Sequence, residues 1–540
     1  MKESEAAETL EIRKHLRRTW GPFFSRFGRL HPIQLGAIPL VLQGRNVVVA
    51  SPTASGKTEA VLAPVLERLL VNPGSHLQVL YISPTRALVN DLEVRLKDPM
   101  TTLDVTLAVK TGERPQFNAH SPQQVLLTTP ESFDSLMARH PRTFRDLQWV
   151  ILDELHLLDG TFRGDQLRVL LERLRLQVEE APVQYCALSA TLHTPAQIAE
   201  RYFPDPETVI VPGNRGIQYS LVSLSELDGL RRSFAERKIS KALFFCNSRK
   251  ETEEFGRRLT DLFPRASVLV HHGSLSKRER EEVERAMRQR KWAYCAATMT
   301  LELGIDIGGI DVIGLVRPPD SVSTLLQRVG RGNRHSDHTV AVALYESELE
   351  REAFVYLFEQ ADAGILEKGT YKPHLSVAVQ QLFSFLFQCQ THGAAFTELT
   401  HLLKPICTEQ GDVELIMEHL TRLRFLQSVR GKFYPAERLL NLAEIGRIHS
   451  NIEEQRSRTV IDTATGRPIG EILVLPGGET FILAGRVWQI TQARGDKIYV
   501  RQTGHQAMPA VFGRRGRSLG AFFGLLPEAL QQRELKVRAQ

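Results

Sequence analysis

The stretch VVVASPTASGKTEAVLAPVLERLL, residues 47–70, contains the pattern that decides the fold. Apolar residues form a short strand, a loop of small residues with a Lys-Thr pair follows, and an apolar helix comes next. In this arrangement the backbone N–H groups of the loop and of the helix N-terminus point at phosphate groups. The pattern predicts a nucleoside-triphosphate site formed by Ser51, Pro52, Thr53, Ala54, Ser55, Gly56, Lys57 and Thr58. Lys57 would bind the β- and γ-phosphates, and Thr58 would bind Mg²⁺.

Short apolar strands alternate with amphipathic helices up to about residue 345. Continuous Val, Ile and Leu runs predict parallel strands that are buried on both faces. The first predicted set is Val47–Ala50, Val79–Ile82, Val125–Thr128, Val150–Leu152 and Cys186–Leu188. The second set is Ala242–Cys246, Ser267–Val270, Tyr294–Ala297, Asp311–Leu315 and Thr339–Leu344. Two sets imply two α/β domains, and the Pro- and Gly-rich segment Pro204–Arg215 is predicted to link them.

The pattern changes after about residue 365. Helical patterns at His374–Gln390, Ala395–Lys404 and Val413–Arg424 precede a hairpin around Arg430-Gly431. This order is typical of a winged helix, although a generic helical bundle is an open alternative. Short strands separated by Gly and Pro turns then predict a small β-barrel. The predicted domains are residues 1–212, 213–362, 363–455 and 456–540.

Composition narrows the class of protein. With 42% hydrophobic and 24% charged residues among 540, the chain has an ordinary globular composition. No apolar run approaches the ~18–20 residues of a membrane span, and the acidic start MKESEAAETL does not resemble a signal peptide. We therefore expect a cytoplasmic protein without a membrane association. The five cysteines form no CxxC motif and are expected in the core. The net charge of +6 favours a polyanionic partner.

An acidic pair ends a buried strand in ILDELH, Ile151–His156, about a hundred residues after the phosphate loop. Alone, acids at a strand end are as often helix caps. Together with the loop, they indicate a hydrolytic site. Asp153 would hold Mg²⁺, and Glu154 would be the base that orients and deprotonates the attacking water.

Five segments in this order resemble motifs I, II, III, V and VI of DExH-type superfamily 2 helicases. They are SPTASGKT, DELH, SAT at Ser189–Thr191, TLELGID at Thr300–Asp306, and QRVGRGNR at Gln327–Arg334. Three longer segments resemble the large helicase-related (Lhr) family: DELHLLDGTFRGDQLRVLLERL, HHGSLSKRERE and LELGIDIG. The resemblance implies two tandem RecA-like domains, a winged helix and a small β-barrel. The chain is short for an Lhr protein, so functions of a long C-terminal extension are not expected.

The resemblance also implies roles for residues outside the phosphate loop. Gln34, in LHPIQ, matches the adenine-reading glutamine, whose amide can both donate and accept. Gly304 and Asp306 match nucleotide-binding residues, and Asp306 would bond the ribose. A further set would act during hydrolysis. Gln327 would position water, and Arg331 and Arg334 would reach the γ-phosphate from the second domain. Ser189 and Thr191 would couple hydrolysis to domain movement, and His156 would link motif II to that pair.

Hydroxyls and arginines at strand ends in both domains resemble the motifs that contact a nucleic-acid strand. Such groups contact phosphates without reading bases. Each alone is more often a cap or turn residue, but their common placement at the carboxyl ends of strands favours one binding face. The residues are Thr85, Arg86, Thr129, Pro130, Ser248, Arg249, His272 and Thr298.

The stretch Ala484–Ser518 is strongly basic, with seven basic residues against Asp496 alone. Three of the arginines, Arg486, Arg494 and Arg514, are predicted to contact nucleic acid, with Trp488, Tyr499 and Phe512 stacking on bases. In the alternative, the aromatic rings are core residues and the arginines are only solvated. The charge run Ser276–Lys291 is instead predicted to be a solvated helix, with Ser276 and Glu279 as its capping box.

The sequence thus predicts an ATP- and Mg²⁺-dependent helicase that moves 3′ to 5′ on single-stranded DNA and unwinds DNA or RNA:DNA duplexes, with a role in DNA repair. The expected partners are single-stranded and duplex nucleic acid, with DNA favoured over RNA. Two alternatives stay open: an ATP-dependent RNA helicase, and a nucleic-acid-binding component of a larger repair or defence complex.

Overall fold

The computed structural model describes residues 2–26, 28–52, 55–74, 76–114, 116–178, 182–190, 194–211, 216–301, 308–332, 338–366, 371–453, 457–473, 479–504, 507–510, 512 and 518–539. The chain folds into two compact units. The first comprises Met1–Pro212, Gly369–Glu454 and Arg517–Gln540, and the second comprises Gly213–Lys368 and Gln455–Gly516. Each unit therefore combines one α/β domain with one smaller domain.

The first α/β domain contains a seven-stranded parallel sheet in the order β3-β4-β2-β5-β6-β1-β7. Its strands are β1 (Val47–Ala50), β2 (Val79–Ile82), β3 (Leu107–Lys110), β4 (Val125–Thr128), β5 (Trp149–Leu152), β6 (Gln184–Ser189) and β7 (Glu207–Ile210). Its helices are α1 (Lys2–His15), α2 (Trp20–Phe24), α3 (Pro32–Leu42), α4 (Lys57–Val71), α5 (Arg86–Leu103), α6 (Pro130–Arg139), α7 (Phe162–Arg175) and α8 (Pro195–Ala199).

Both faces of this sheet are buried. Val47 and Val49 belong to the core on one face, and Val48 belongs to the core on the other. Successive residues of a strand point to opposite faces, so burial of both faces requires an unbroken apolar run. This is why the first predicted strand set is confirmed.

The predicted linker Pro204–Arg215 is wrong in part. Its residues Glu207–Ile210 form β7, which pairs in parallel with β1 at the sheet edge. The burial of β7 alternates between half-buried and exposed residues. An edge strand of this kind carries no apolar run, and the Pro and Gly residues around it concealed the strand.

The second α/β domain contains a six-stranded parallel sheet in the order β10-β11-β9-β12-β13-β8. Its strands are β8 (Gly216–Ser223), β9 (Lys241–Cys246), β10 (Ser267–His271), β11 (Ala293–Ala297), β12 (Val312–Val316) and β13 (His338–Tyr345). Its helices are α9 (Leu227–Glu236), α10 (Arg249–Leu262), α11 (Lys277–Gln289), α12 (Val322–Val329) and α13 (Glu348–Asp362). The second predicted strand set is confirmed, and β8 was not predicted.

The smaller domain of the first unit has the predicted three helices and hairpin. Its elements are α14 (Leu375–Gln388), β14 (Ala394–Ala395), α15 (Phe396–Leu403), α16 (Asp412–Arg422), β15 (Leu426–Val429), β16 (Lys432–Pro435) and α17 (Glu437–Glu444). The strands form an antiparallel sheet in the order β14-β16-β15. The elements therefore follow the winged-helix order, and we call residues 371–449 the winged-helix domain.

The smaller domain of the second unit is a curled mixed sheet, a half-barrel, with the strand order β18-β17-β21-β20-β19-β22. Its strands are β17 (Arg458–Asp462), β18 (Arg467–Ile472), β19 (Thr480–Leu483), β20 (Arg486–Arg494), β21 (Lys497–Gln502) and β22 (Met508–Pro509). The chain then returns to the first unit, where α18 (Glu528–Ala539) follows Phe522 and Leu526 in the winged-helix core.

All five cysteines are buried, as predicted for core residues. Across the described helices, none combines the length and the apolar character that crossing a bilayer requires.

Candidate functional site

The phosphate loop lies between the carboxyl end of β1 and the start of α4, in the first unit. Gly56 is the N-cap of α4, with φ +83°. A Cβ atom at this position would lie 2.3 Å from Nε2 of Gln34. The left-handed backbone therefore favours glycine here, and a larger residue would also displace the amide end of Gln34. Thr53 and Ala54, which were predicted to be part of this loop, lie outside the described residues.

Polar groups around the loop are bonded to its backbone. The Lys57 ammonium group donates to the carbonyls of Ser51, at 2.5 Å, and Pro52, at 3.0 Å. Gln34 accepts from the His31 N–H at 2.8 Å and donates to the Gly56 carbonyl at 3.3 Å. The structure thus brings Gln34 and Lys57 to the same loop, and their roles in binding adenine and phosphate stay predictions.

The acidic pair follows β5 directly, and the β5 neighbours in the sheet position it. The Asp153 N–H donates to the Ile82 carbonyl at the end of β2, and the Ser83 hydroxyl donates to Asp153 Oδ2 at 3.3 Å. Glu154 adopts a left-handed conformation, with φ 43° and ψ 50°. Such a conformation costs about 1–3 kcal/mol for a residue other than glycine, and strain of this kind clusters at functional sites.

Burial dominates the electrostatics of this pair. Burial, followed by the neighbouring Glu154 carboxylate, raises the pKa of Asp153 above its ordinary value, against the opposing charge of Lys57. Burial and the charge of Asp153 also raise the pKa of Tyr81, in β2. Each additional positive charge near Asp153 would stabilise its ionised form.

These groups fit a nucleotide with Mg²⁺. Glu154 Oε2 is buried and makes no hydrogen bond within the described part of the chain, although His156 Nδ1 lies 3.5 Å away. The described residues contain no group of three or more His, Cys, Asp or Glu that could hold a metal. The Asp153 carboxylate and the Thr58 hydroxyl suit an ion that takes its other ligands from phosphates and water, as Mg²⁺ does.

His156 connects the acidic pair to the end of β6. Its Nδ1 lies 3.1 Å from the Ser189 hydroxyl and accepts from the Ala190 N–H at 3.2 Å. A ring nitrogen that accepts a backbone proton carries none itself, so the neutral ring has its proton on Nε2. Burial lowers the pKa of His156, which favours that neutral form. The structure brings His156 and Ser189 together as predicted, whereas Thr191 lies outside the described residues.

Part of the predicted hydrolytic set belongs to the second unit. Gln327 is half-buried on α12, and Arg331 is buried just after that helix. The intervening Arg328 is buried as well and donates to Asn247 Oδ1 at 2.8 Å. Gly304, Asp306 and Arg334 lie outside the described residues. The roles assigned to these residues stay predictions.

The strand-contact residues of the first unit lie at one sheet edge. Ile82 at the end of β2 is level with Thr128 at the end of β4. Thr85 caps α5 by accepting from the Leu88 N–H, and Arg86 is exposed and pairs with Glu113 at 3.1 Å. Thr129 and Pro130 begin α6 and are buried. The edge exists as predicted, although only Arg86 presents a largely exposed side chain.

In the second unit, the carboxyl ends of β9, β10 and β11 also share an edge. Ser248 caps α10 by accepting from the Glu251 N–H at 3.1 Å, and Arg249 is exposed. Thr298 is buried. The prediction for His272 is wrong, because its side chain is fully buried and bonded to Glu253 at 2.9 Å. The ring contacts Phe512 of the half-barrel, with 4.9 Å between the centroids.

The half-barrel corrects the prediction of stacking residues. Trp488 and Phe512 are buried in its core, and Trp488 donates to the Leu483 carbonyl at 2.9 Å. Neither ring face can receive a base, so the alternative is right for these two, and Tyr499 is half-buried. Arg486 pairs with Glu279 of α11, whereas Arg494 is exposed and Arg514 lies outside the described residues. Their binding of nucleic acid stays a prediction.

Sequence reasoning did not find Tyr81, Asp134 or Glu253. All three lie in apolar or amphipathic surroundings without a motif of their own. The only available signal was a polar residue at a position where the periodicity predicts burial.

The capping of α11 by Ser276 and the burial of Val283 and Met287 are confirmed, but its Glu279 also pairs with the half-barrel.

The sequence of this chain is similar to those of known helicases. The DEAD/DEAH box helicase family matches residues 31–198, and the helicase conserved C-terminal domain matches residues 225–336. The Lhr-Core helicase of Saccharolobus solfataricus is 27% identical, over 89% of this chain and 61% of its own length. An Lhr-Core protein of Thermococcus barophilus is 26% identical, over 94% of this chain and 66% of its own length. The chain contains both domains of a superfamily 2 helicase and resembles the Lhr core.

Solved structures agree with this assignment. Lhr of Mycobacterium smegmatis, bound to single-stranded DNA and AMP-PNP, is 26% identical to the Lhr-like chain, with a TM-score of 0.69 over 81% of this chain and 62% of that one. The DUF1998 helicase MrfA, bound to DNA, has a TM-score of 0.73 at 22% identity, over 90% of this chain and 73% of that one, which shows a common fold. The Lhr-like chain spans no more than about two thirds of the curated Lhr relatives described above.

Proposed function

We propose that the Lhr-like chain is an ATP- and Mg²⁺-dependent helicase that moves 3′ to 5′ on single-stranded DNA and unwinds DNA or RNA:DNA duplexes, in DNA repair. The family matches and the Lhr-Core relatives support an ATP-dependent helicase. The structure of M. smegmatis Lhr with single-stranded DNA and AMP-PNP supports DNA as the loading strand.

One observation carries the proposal. Lys57 on the phosphate loop, the acidic pair Asp153 and Glu154, and the His156–Ser189 contact meet at the carboxyl edge of one parallel sheet. Ligands of open α/β sheets bind at this edge. A chain that only binds nucleic acid has no use for a buried base beside a metal-binding carboxylate.

The chemistry follows from the positions of these groups. Lys57 exchanges its loop carbonyls for phosphate oxygens when ATP binds. Glu154 takes the proton of the attacking water, since its Oε2 is buried and makes no hydrogen bond within the described residues. Mg²⁺, held by Thr58 and Asp153, would neutralise charge on the phosphates. Arg331 and Arg334 would stabilise the transferring phosphoryl group.

His156 connects the hydrolytic site to the end of the neighbouring strand. Its Nδ1 contacts both the Ser189 hydroxyl and the Ala190 amide, at the end of the strand next to β5. Glu154 Oε2 lies 3.5 Å from His156 Nδ1, so a change at the γ-phosphate that moves Glu154 would reach the end of β6 through one ring. We infer that this contact couples hydrolysis to movement along the strand.

A directional unwinding assay tests the proposal. Four duplexes are compared, in which the single-stranded loading tail is DNA or RNA and has 3′ or 5′ polarity. We expect ATP-dependent unwinding from the 3′ DNA tail alone. Unwinding from RNA tails only would indicate an RNA helicase, and strand binding without unwinding or ATP turnover would indicate a binding component.

A further inference from the structure

A single buried carboxylate joins the half-barrel to the second α/β domain. Glu253, on α10, accepts from His272 Nε2 at 2.9 Å and from the Ala484 N–H at 2.6 Å through Oε1. Its Oε2 accepts from the Gly485 N–H at 2.7 Å. The side chains of Glu253 and His272 are both fully buried. Three donors from two domains thus converge on one anion, which would be costly to bury alone.

The partner of Glu253 on the half-barrel is the turn between β19 and β20. Ala484 and Gly485 both have positive φ, +58° and +68°. Two such residues form the tight turn that suits a β-hairpin. Alanine seldom adopts this conformation, and here it places two consecutive N–H groups on the Glu253 carboxylate. A Cβ on Gly485 would lie 3.1 Å from a Val270 methyl group, so the turn packs directly on β10.

Arg249, predicted to contact the strand, is held by the same junction. It begins α10, one turn before Glu253. Its Nη1 donates to the Ser274 hydroxyl at 2.9 Å and to the carbonyl of Phe512, in the half-barrel, at 3.2 Å. The Phe512 ring contacts the His272 ring edge-on, with 4.9 Å between centroids. The half-barrel therefore supplies an acceptor that fixes where the Arg249 guanidinium lies.

Further contacts extend the junction along the same segment. The Glu471 N–H donates to the Ser274 carbonyl, and the Ser276 N–H donates to the Ile469 carbonyl, each at 2.8 Å. Arg486 pairs with Glu279. Among these contacts Glu253 is the one fully buried charge, so its loss would disturb the junction most.

We propose that Glu253 is a positioning residue for strand binding: it fastens the half-barrel to α10 and so holds Arg249 in the orientation that meets a strand phosphate. This inference rests on the proposed function. The half-barrel would then contribute to strand binding by orienting Arg249, in addition to any contact of its own arginines.

The test compares Glu253→Gln with Glu254→Gln in the full chain. Glutamine has the same size, but its amide nitrogen would face an N–H donor. Glu254 is the next residue on α10, with a 42% exposed side chain paired to Lys250, and serves as the matched control. For Glu253→Gln we expect the concentration of oligo-dT that half-maximally stimulates ATP turnover to rise about tenfold. The KM for ATP and the turnover at saturating oligo-dT should be retained, and Glu254→Gln should match the wild type.

Hydrogen exchange of residues 480–490 supplies a readout that does not depend on activity. Exchange at Ala484 and Gly485 should be faster in Glu253→Gln than in the wild type and the control. Unchanged exchange, or unchanged oligo-dT dependence despite faster exchange, would overturn the proposal. A parallel loss of turnover, ATP binding and melting temperature would also overturn it, since that pattern indicates a purely structural residue.

A second variant and a wild-type control complete the test of Glu253. If Glu253→Gln does not fold, His272→Leu removes one of the three donors and should raise the half-maximal oligo-dT concentration by a smaller factor. An unchanged value in a folded His272→Leu protein would then contradict the proposal. If oligo-dT does not stimulate ATP turnover by the wild-type chain, the proposed function is refuted. If oligo-dT stimulates the wild type and the Glu253→Gln variant equally, only the role of Glu253 is refuted.

Discussion

Asp134 on α6 and Arg173 on α7 form an ion pair at 3.3 Å in which neither side chain is exposed. The carboxylate also accepts from a set of side chains on two domains: Gln166 at 2.7 Å, Gln380 at 2.8 Å, Gln381 at 2.6 Å, and Ser384. Three of these lie on α14, so the pair joins the winged-helix domain to the first α/β domain. A buried ion pair stabilises a fold only when such additional hydrogen bonds satisfy both charges.

Asp134→Asn should destabilise the first unit by about 3–5 kcal/mol, because it leaves the Arg173 charge buried without its carboxylate. Burial alone would raise the pKa of Asp134, but His449, Arg173 and Ser384 lower it to about 2. A lowered pKa stabilises the fold above the ordinary value of 3.8, and this stabilisation is lost as the pH falls toward 2. Urea unfolding at pH 7, and at pH values from 5 down to 2, measures both effects.

The matched control for Asp134→Asn is Glu172→Gln, on the same helix as Arg173. Glu172 pairs with Arg175 at a partly exposed position, where an ion pair contributes only about 0–1 kcal/mol. If Asp134→Asn unfolds at the same urea concentration as this control, the buried pair does not hold the two domains together.

Glu154→Gln should retain ATP binding and lose hydrolysis by a factor on the order of 10²–10⁴, because the amide cannot accept the proton of the water. Steady-state ATP turnover is measured beside the affinity for a fluorescent ATP analogue. Turnover close to that of the wild type would remove Glu154 from the role of base.

Arg331→Ala should lower ATP turnover far more than ATP affinity, since a charge against the transferring phosphoryl group contributes about 10³-fold or more. Arg331 is buried, so the melting temperature of each variant is needed as a control. Arg331→Lys retains the charge but not the planar fork, and should fall between the wild type and Arg331→Ala. Wild-type turnover in a folded Arg331→Ala protein would contradict the assignment from motif VI.

His156→Gln should uncouple hydrolysis from unwinding. The ring accepts the Ala190 N–H and contacts Ser189, and glutamine cannot hold both contacts in the same geometry. We expect ATP turnover within about threefold of the wild type and at least tenfold fewer base pairs unwound per ATP, on the order that a displaced hydrogen-bonded group costs. Equal losses in both measurements would show that His156 serves hydrolysis alone.

Arg494→Gln tests the basic surface of the half-barrel. If this exposed arginine contacts a phosphate, the slope of log affinity against log salt should fall by about 0.7 for single-stranded DNA. Arg486→Gln should change the slope less, because Arg486 pairs with Glu279. Arg265→Gln is the control: Arg265 is exposed just before β10, at the opposite sheet edge from the strand-contact residues. Identical slopes for Arg494→Gln and Arg265→Gln would mean that Arg494 is solvated and contacts no phosphate.

Truncation before the half-barrel would not be a clean alternative to that substitution. It would also remove α18, whose Arg533 pairs with Asp412 at 2.6 Å and whose Glu534 accepts from the Leu375 N–H at 3.2 Å. Weaker binding by such a protein would report damage to the winged-helix domain together with the loss of arginines.

The parallel strands and the phosphate loop were predictable because each is encoded locally. Val47–Ala50 is buried on both faces and therefore continuously apolar, and the loop requires Gly56 and Lys57 at fixed spacing. Edge strands such as β3, β7 and β8 escaped prediction since half of their surface lacks a core to pack against. Local periodicity gives only a weak signal for a strand stabilised mainly by one neighbour, and of the four edge strands of the two parallel sheets β10 alone was predicted.

The errors at the candidate site have a different cause. His272 and Trp488 were assigned to nucleic acid because of their residue type and their motif neighbours, and both are buried against partners distant in sequence. His272 meets Glu253 from α10, and Glu253 in turn meets Ala484 from another domain. Whether a polar or aromatic residue faces solvent depends on such long-range packing, which spacing along the chain does not encode.

The return of the chain to its first unit also sets an order of events during synthesis. Phe522, Leu526 and Leu530 enter the same core as Phe383, although the segment Gln455–Gly516 of the second unit is translated between them. Domains generally fold as they emerge, the N-terminal ones first. Here the earliest unit to emerge is completed only after the second unit, so the apolar surface of α14 that contacts Phe522 stays uncovered until residues 518–530 have emerged. A nascent chain stalled before residue 518 should therefore be a chaperone substrate, even though both parallel sheets are already translated.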